Sequence, residues 1–328
     1  MMNRRSLVLS GLAASIAQPA KAQGKKPRLA MLLAGVETGP GASPWLTSFR
    51  KALAELGWVD GHNIEIVARF TENLPGRLPM LAAELVALHP DCILTHTSGG
   101  ATVAAAATST IPIVVGAASE EVLIELAGGL PRPKGNVTGL TIVSHEHHAK
   151  VLDLLKQAYP AVARTGVLVH PNAKDYRNYP ALLTQLLGSL GLDLVRVEAR
   201  DLAGLDAAFA ALAAARADSL FVTTDPAFFP AAMTRRINEL ALAQKIPVVA
   251  TFEGVVRAGG LLSLGADLQV LIRRSAVYVD KILKGAKPGD LPVERPTVYR
   301  LLLNLKSAKE LGIELPPSIL LRANEVIE

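Results

Sequence analysis

The chain has 328 residues, half of them hydrophobic and 19% charged, with a formal net charge of +5. That length suffices for two domains with separate cores, and an apolar, aromatic-poor composition suits a compact α/β protein. Arg4, Arg5 and Lys21 carry three of the five net charges. No basic block or basic stripe interleaved with aromatics follows them, which argues against a nucleic-acid partner.

Residues 1–22 read as a cleavable export signal. Arg4-Arg5 form a positive start, Ser6 to Ala17 a short apolar run, and Ala20-Lys21-Ala22 a small-x-small cleavage site before Gln23. The apolar run is too short to span a bilayer. The arginine pair also resembles a twin-arginine signal, but two arginines commonly begin ordinary secretory signals, so the general secretory route and a periplasmic destination are expected. No cysteine follows the apolar run, so no lipid anchor is expected there. Cys92 is the sole cysteine and sits in the apolar run Asp91-Cys92-Ile93-Leu94, where core packing is the expected role.

From Arg28 onward, short apolar runs alternate with longer helix-period segments. Strands are predicted at Leu29–Leu33, Ile64–Phe70, Cys92–His96 and Ile113–Val115. Helices are predicted at Pro44–Leu56, capped by Ser43 and closed by Gly57, at Leu78–Leu88 and at Gly100–Thr108. Such alternation implies parallel sheets with helices on both faces.

The pattern then runs a second time. Leu56-Gly57 and Leu190-Gly191 both precede strands. His89-Pro90-Asp91-Cys92-Ile93-Leu94-Thr95 parallels Arg216-Ala217-Asp218-Ser219-Leu220-Phe221-Val222. Ile111-Pro112-Ile113-Val114-Val115 parallels Ile246-Pro247-Val248-Val249-Ala250. A repeat at this period predicts two similar α/β lobes rather than one large sheet. The division expected is 27–143 plus 264–285 for one lobe and 144–263 plus 286–328 for the other. Several crossings would form a hinge, with rotation near Leu140–Ser144 and Ser263–Ala266 that Gly139 and Gly265 would permit.

Four segments carry a resemblance to a known family. They are Ala107-Thr108-Ser109-Thr110-Ile111-Pro112-Ile113-Val114, Gly135-Asn136-Val137-Thr138-Gly139, Asn304-Leu305-Lys306-Ser307-Ala308-Lys309 and Ala323-Asn324-Glu325-Val326-Ile327. The chain resembles, over nearly its whole length, the ABC-transporter substrate-binding proteins that include tryptophan- and tyrosine-type solute receptors. The resemblance implies a type I periplasmic-binding-protein fold, two Rossmann-like lobes joined by three crossings. The expected function is capture of a small organic solute for an ABC-type permease with its ATPase, by a monomer without a cofactor. The sequence departs from the family where Glu120-Glu121 stand in place of Asp-Pro, and where His170-Pro171-Asn172 replaces Asn-Pro-Asn.

In open parallel sheets, ligands bind beyond the carboxyl ends of strands. That rule selects the loops Ala34–Ser43, Thr97–Ala101, Gly116–Glu121, His170–Tyr176, Thr223–Phe228 and Thr251–Glu253. In Thr97-Ser98-Gly99-Gly100-Ala101, free N–H groups at a helix start and the Ser98 hydroxyl suit a carboxylate, and Gly99 and Gly100 allow close approach. The competing reading makes Ser98 a helix cap. Ser119 and Glu120 follow another strand, with Glu120 either a partner for a ligand ammonium or a solvated acid at a helix start. Thr224 and Asp225 are expected to accept from an ammonium or hydroxyl, or else to cap a helix. Ser43, His170, Asn172, Tyr176, Phe252 and Glu253 complete the predicted walls, with Phe228 or Phe229 as a further apolar surface. His145-Glu146-His147-His148 brings only two histidines to one helix face, so no metal is expected. No serine-nucleophile elbow, His-Glu-x-x-His or Cys-x-x-Cys motif occurs, and an enzyme is not expected. A sensory ectodomain and a secreted enzyme remain the alternatives to a transport receptor.

Overall fold

The computed structural model describes residues 26–37, 44–172, 185, 188 and 190–328. The signal segment, Ser43 and Tyr176 lie outside the described residues. The first lobe begins with β1 (Arg28–Leu33), whose residues from Leu29 onward are all buried, as a central parallel strand covered on both faces requires. Around it stand β2 (Glu65–Phe70), β3 (Cys92–Thr95), β4 (Ile113–Ser119) and β5 (Val137–Val143), in the order β2-β1-β3-β4-β5 with every pairing parallel. Between them run α1 (Pro44–Glu55), α2 (Leu78–Ala87), α3 (Ser98–Ala107) and α4 (Glu120–Ala127). β4 is longer than the predicted Ile113–Val115. It continues through a register irregularity to Ser119, where Ser119 caps α4. α3 begins at Ser98, two residues before its predicted start, because Thr97 is the cap: its hydroxyl accepts from the Gly100 N–H at 3.0 Å.

The second sheet holds seven strands. β6 (Arg164–Val169), β7 (Asp193–Glu198), β8 (Ser219–Val222), β9 (Val248–Ala250), β10 (Leu262–Ala266), β11 (Tyr299–Asn304) and β12 (Glu325–Ile327) lie in the order β12-β11-β10-β9-β8-β6-β7. Its helices are α5 (His145–Ala158), α6 (Leu202–Ala214), α7 (Ala231–Ala243), α8 (Glu253–Arg257), α10 (Leu305–Leu311) and α11 (Pro317–Leu320); α9 (Leu268–Leu283) belongs to the first lobe. α9 packs Leu271, Ile272, Ala276, Tyr278 and Val279 into the core formed by Trp45, Phe49 and Leu53 of α1. Trp58 Nε1 donates to Asp280 on that helix at 2.8 Å.

The expected repeat is present at the level of side chains. At the foot of the first sheet, the Arg28 N–H donates to Asp91 (2.7 Å), Arg28 Nη1 to the Leu88 carbonyl (2.5 Å) and Arg28 Nε to Glu65 (2.8 Å). At the foot of the second, the Arg164 N–H donates to Asp218 (3.0 Å), Arg164 Nη1 to the Ala215 carbonyl (2.7 Å) and Arg164 Nη2 to Asp193 (3.3 Å). His89 and Arg216, matched in the two motifs, both turn through positive φ, at 50° and 54°.

Three crossings join the lobes. β5 hands over to α5 through Ser144, and β10 to α9 through Asp267. Both exits leave from the carboxyl end of a strand, β5 running parallel to β4 and β10 parallel to β9, so the carboxyl ends of these parallel strands face the joint. The third crossing returns from that same side, which is why β11 runs antiparallel to β10. The return comes later than predicted. Residues 286–295 stay with the first lobe, since the Val293 N–H donates to Leu130 O (2.7 Å) and the Glu294 N–H to Gly139 O (3.0 Å). β10 lies wholly in the second sheet, so the earlier boundary falls at Asp267 rather than at 264. Neither predicted hinge glycine sits in a free segment. A Cβ on Gly265 would lie 2.6 Å from the Thr251 carbonyl oxygen, and one on Gly139 would overlap the Val115 backbone. Both are required by close strand packing.

Candidate functional site

Two walls face the joint. In the first lobe, Ser98 at the start of α3 does not cap its own helix. Its Oγ accepts from the Ser119 N–H at 3.0 Å, stitching the loop after β3 to the end of β4. Thr97 performs the capping, which leaves the first N–H groups of α3 and the Ser98 hydroxyl proton directed to neither role. Gly99 is exposed, and a Cβ there would make only ordinary contact with Leu78. Gly100 is different: a Cβ would overlap the Thr95 hydroxyl, so its smallness serves helix-on-strand packing. Ser119 is buried and caps α4 through the Val122 N–H at 3.4 Å.

Glu120 is not the open carboxylate that its position suggests. It is 8% exposed, and both its oxygens accept from Arg295, from Nε and Nη2 at 2.6 Å each. This bidentate geometry neutralises the acid from a residue that lies just before the third crossing. Glu121 stands 2.9 Å from His145 Nδ1 at the head of α5, a contact between the lobes.

Two aromatic residues of this wall escaped the sequence reading. Trp45, nearly buried at the start of α1, lies against His96 with ring centroids 4.7 Å apart. The Trp45 ring occupies the space over Gly116, where a Cβ would come within 2.5 Å of it. His96 directly follows β3. Its Nδ1 is sealed from solvent without a hydrogen-bond partner, although the residue as a whole is half-buried. Burial lowers the imidazole to about 3, so it is neutral.

The second wall is built from the ends of β6, β8 and β9. His170 Nδ1 accepts from the Asn172 N–H at 3.2 Å, and Asn172 itself is exposed. Thr223 pins β8 to β6 by donating to Leu168 O at 2.7 Å. Thr224 and Thr251 bring their hydroxyls together across β8 and β9. Asp225 caps the short 3-10 turn Pro226–Phe228 by accepting from the Ala227 N–H at 2.9 Å. Burial raises its pKa, opposed by that N–H and by the nearby His170. Phe228 is fully buried in the core. Phe229 is 44% exposed and meets Phe252 edge to face at 4.7 Å. Glu253 points along α8 to Arg257 at 3.1 Å, and Arg257 in turn reaches Glu325 on β12 at 2.7 Å.

Of the histidine run, His145 meets Glu121, while His147 and His148 are buried within the second lobe. Among the described residues, no three His, Cys, Asp or Glu side chains are grouped to hold a metal ion.

Comparison with known proteins agrees with this architecture. The family model described as "ABC transporter substrate binding protein" matches residues 35–327. A tyrosine-binding protein of Clostridioides difficile (strain R20291) is 26% identical over 266 residues, 81% of this chain and 76% of the relative. A crystal structure of a conserved domain protein from Vibrio cholerae superposes with a TM-score of 0.82 at 28% identity, covering 92% of this chain and all of that one. The structure of an ABC domain in complex with L-Trp, from Streptococcus pneumonia, also gives 0.82, at 23% identity and the same coverage. With its two lobes of mostly parallel strands and a family match over nearly the whole described chain, this protein belongs to the ABC transporter substrate-binding proteins.

Proposed function

We propose that this chain is the periplasmic receptor of an ABC importer and captures a small carboxylate-bearing solute, aromatic or amino-acid-like, between its lobes. The observation that carries the reading is the start of α3. Ser98 and the N–H groups of Ser98 and Gly99 offer hydrogen-bond donors to an anion at a strand's carboxyl end, on the side that faces the joint. The relatives named for tyrosine and complexed with L-Trp support an aromatic amino acid as the first candidate. On the second wall, Asp225 is the acid left for a ligand ammonium, because Glu120 is held by Arg295 and Glu253 by Arg257. Phe229 and Phe252 supply the apolar surface. The two walls meet on the solute as the lobes rotate about the crossings, and the closed form is populated by its better contacts.

Export through cleavage after Ala22 and action as a monomer are part of the same proposal, and mature protein should begin at Gln23. The test of the reading is a thermal-shift screen with L-tryptophan, L-tyrosine and their deaminated acids. A ligand at about 100 times its Kd adds roughly 2.7 kcal/mol of stability, enough to move the transition visibly. No shift with any carboxylate-bearing aromatic would reject the proposed solute class.

A further inference from the structure

One histidine links the second-lobe ends of all three crossings, through its backbone N–H at the first and its imidazole at the other two. His147 lies in the first turn of α5, is 2% exposed, and its N–H is held by Ser144, the residue of the first crossing, through Oγ (3.3 Å) and O (3.1 Å). Its Nε2 lies 2.6 Å from the carbonyl oxygen of Leu264, on β10 just before the second crossing. A carbonyl accepts only, so Nε2 carries the proton and Nδ1 is a sealed lone pair without a partner. The ring meets that of Tyr299, the first residue of β11 after the third crossing, with centroids 4.5 Å apart. The ladder between β10 and β11 extends past both strands, because the Asp267 N–H donates to Val298 O at 3.0 Å. On the other side, the Thr141 N–H donates to Glu294 O at 2.9 Å and binds the first and third crossings to the first lobe.

We propose that His147 is a positioning residue that fastens the second-lobe ends of the three crossings into one rigid block, confining lobe rotation to Ser144, Asp267 and Pro296–Thr297. The inference rests on the reading that the lobes close on a solute, but it concerns the ligand-free protein. The imidazole ties the start of α5 to the paired ends of β10 and β11, so losing the side chain frees the first crossing's end from the other two without emptying either sheet. The neutral state that burial favours is the one in which Nε2–H donates to Leu264. A crossing fixed on both sides bends at the few junction residues between the bonds of one lobe and those of the other.

The experiment uses the full chain carrying Ala83→Cys on α2 and Ala210→Cys on α6, both exposed sites, labelled with nitroxides. Cys92 is buried and burial pushes its thiol up, so it does not compete for label. Pulsed electron resonance then reads the distance distribution between the lobes without ligand. The expected result is a narrow distribution in the parent and a broader one in His147→Ala. His147→Gln, which keeps a donor for Leu264, should fall between them, and Tyr299→Leu should broaden on its own. Leu152→Ala, on the same helix and equally buried in the second-lobe core, should destabilise the lobe without broadening. Should His147→Ala fail to fold, the Gln and Tyr299→Leu variants carry the test. Parent-like widths in the His147 and Tyr299 variants, or equal broadening in Leu152→Ala, would overturn the proposal. Calorimetry with L-tryptophan on the same samples separates this result from the solute reading, since absent binding leaves the ligand-free widths intact.

Discussion

The two walls that face the joint are built from the same repeat but differ in how their polar groups are spent. In the first lobe, Ser98 is tied to Ser119, Thr97 to Gly100 and Glu120 to Arg295, so the loops are bonded to one another before any solute arrives. In the second, Asp225 is half-buried with its pKa raised, and Phe229 stands partly exposed beside Phe252. On the proposed reading, the first wall is preorganised for a group that every ligand of the class shares, and the second would discriminate among them.

Substitutions probe that contrast unequally. Arg295→Ala leaves the nearly buried Glu120 without its fork of donors. Discounted for the exposure of Arg295 itself, it should cost about 2 kcal/mol of stability in urea denaturation. A change below 0.5 kcal/mol, on the order seen for exposed pairs, would show that the first wall is not held this way. Ser98→Ala removes the acceptor of the Ser119 N–H and should cost about 1–2 kcal/mol, with affinity for a carboxylate solute falling at least about tenfold. Unchanged affinity would remove Ser98 from the site.

Asp225→Asn should act on selectivity rather than on the fold. Asparagine keeps the cap to Ala227 without the charge, so the variant should bind L-tryptophan more weakly and indole-3-acetate about as before. Its pH signature is also fixed in sign. An acid whose pKa is raised on folding favours the folded state while protonated and loses that contribution as pH rises from its ordinary 3.8 through the raised value. Ligand-free Asp225→Asn should thus match the parent below that window and exceed its stability above it. A parent that gains stability relative to the variant across this window would contradict the assignment. The smallest effect belongs to Arg257→Ala, whose solvent-screened pairs with Glu253 and Glu325 should leave the urea midpoint close to the parent's.

Much of the architecture is legible in the sequence because the strand-helix units are local. Buried parallel strands such as Leu29–Leu33 are continuous apolar runs, and the matched motifs around Asp91 and Asp218 announce a duplication that the structure repeats bond for bond. The strand-end rule also selects Ser98, Asp225 and Phe252, which the structure places just beyond the carboxyl ends of β3, β8 and β9. What it misses lies in long-range pairings. Arg295 is 175 residues from Glu120 in sequence, and nothing near either residue announces the fork between them. Trp45 was hidden in a helix pattern, where an aromatic usually means core, and only Gly116 at the far strand explains its place. Gly139 and Gly265 read as hinges from their conformational freedom, whereas strand packing uses their lack of a side chain. The last crossing was set too early because 286–295 bonds as a bridge to β5, with no strand-like run to mark it.

Capture between two walls is the central claim, and small-angle X-ray scattering tests it most directly. The solute giving the largest thermal shift would be added to saturation, and scattering would be recorded with and without it. The account predicts a smaller radius of gyration in the saturated protein, as the second wall swings onto a solute held at Ser98. The same radius in both samples, with binding independently established by calorimetry, would contradict it.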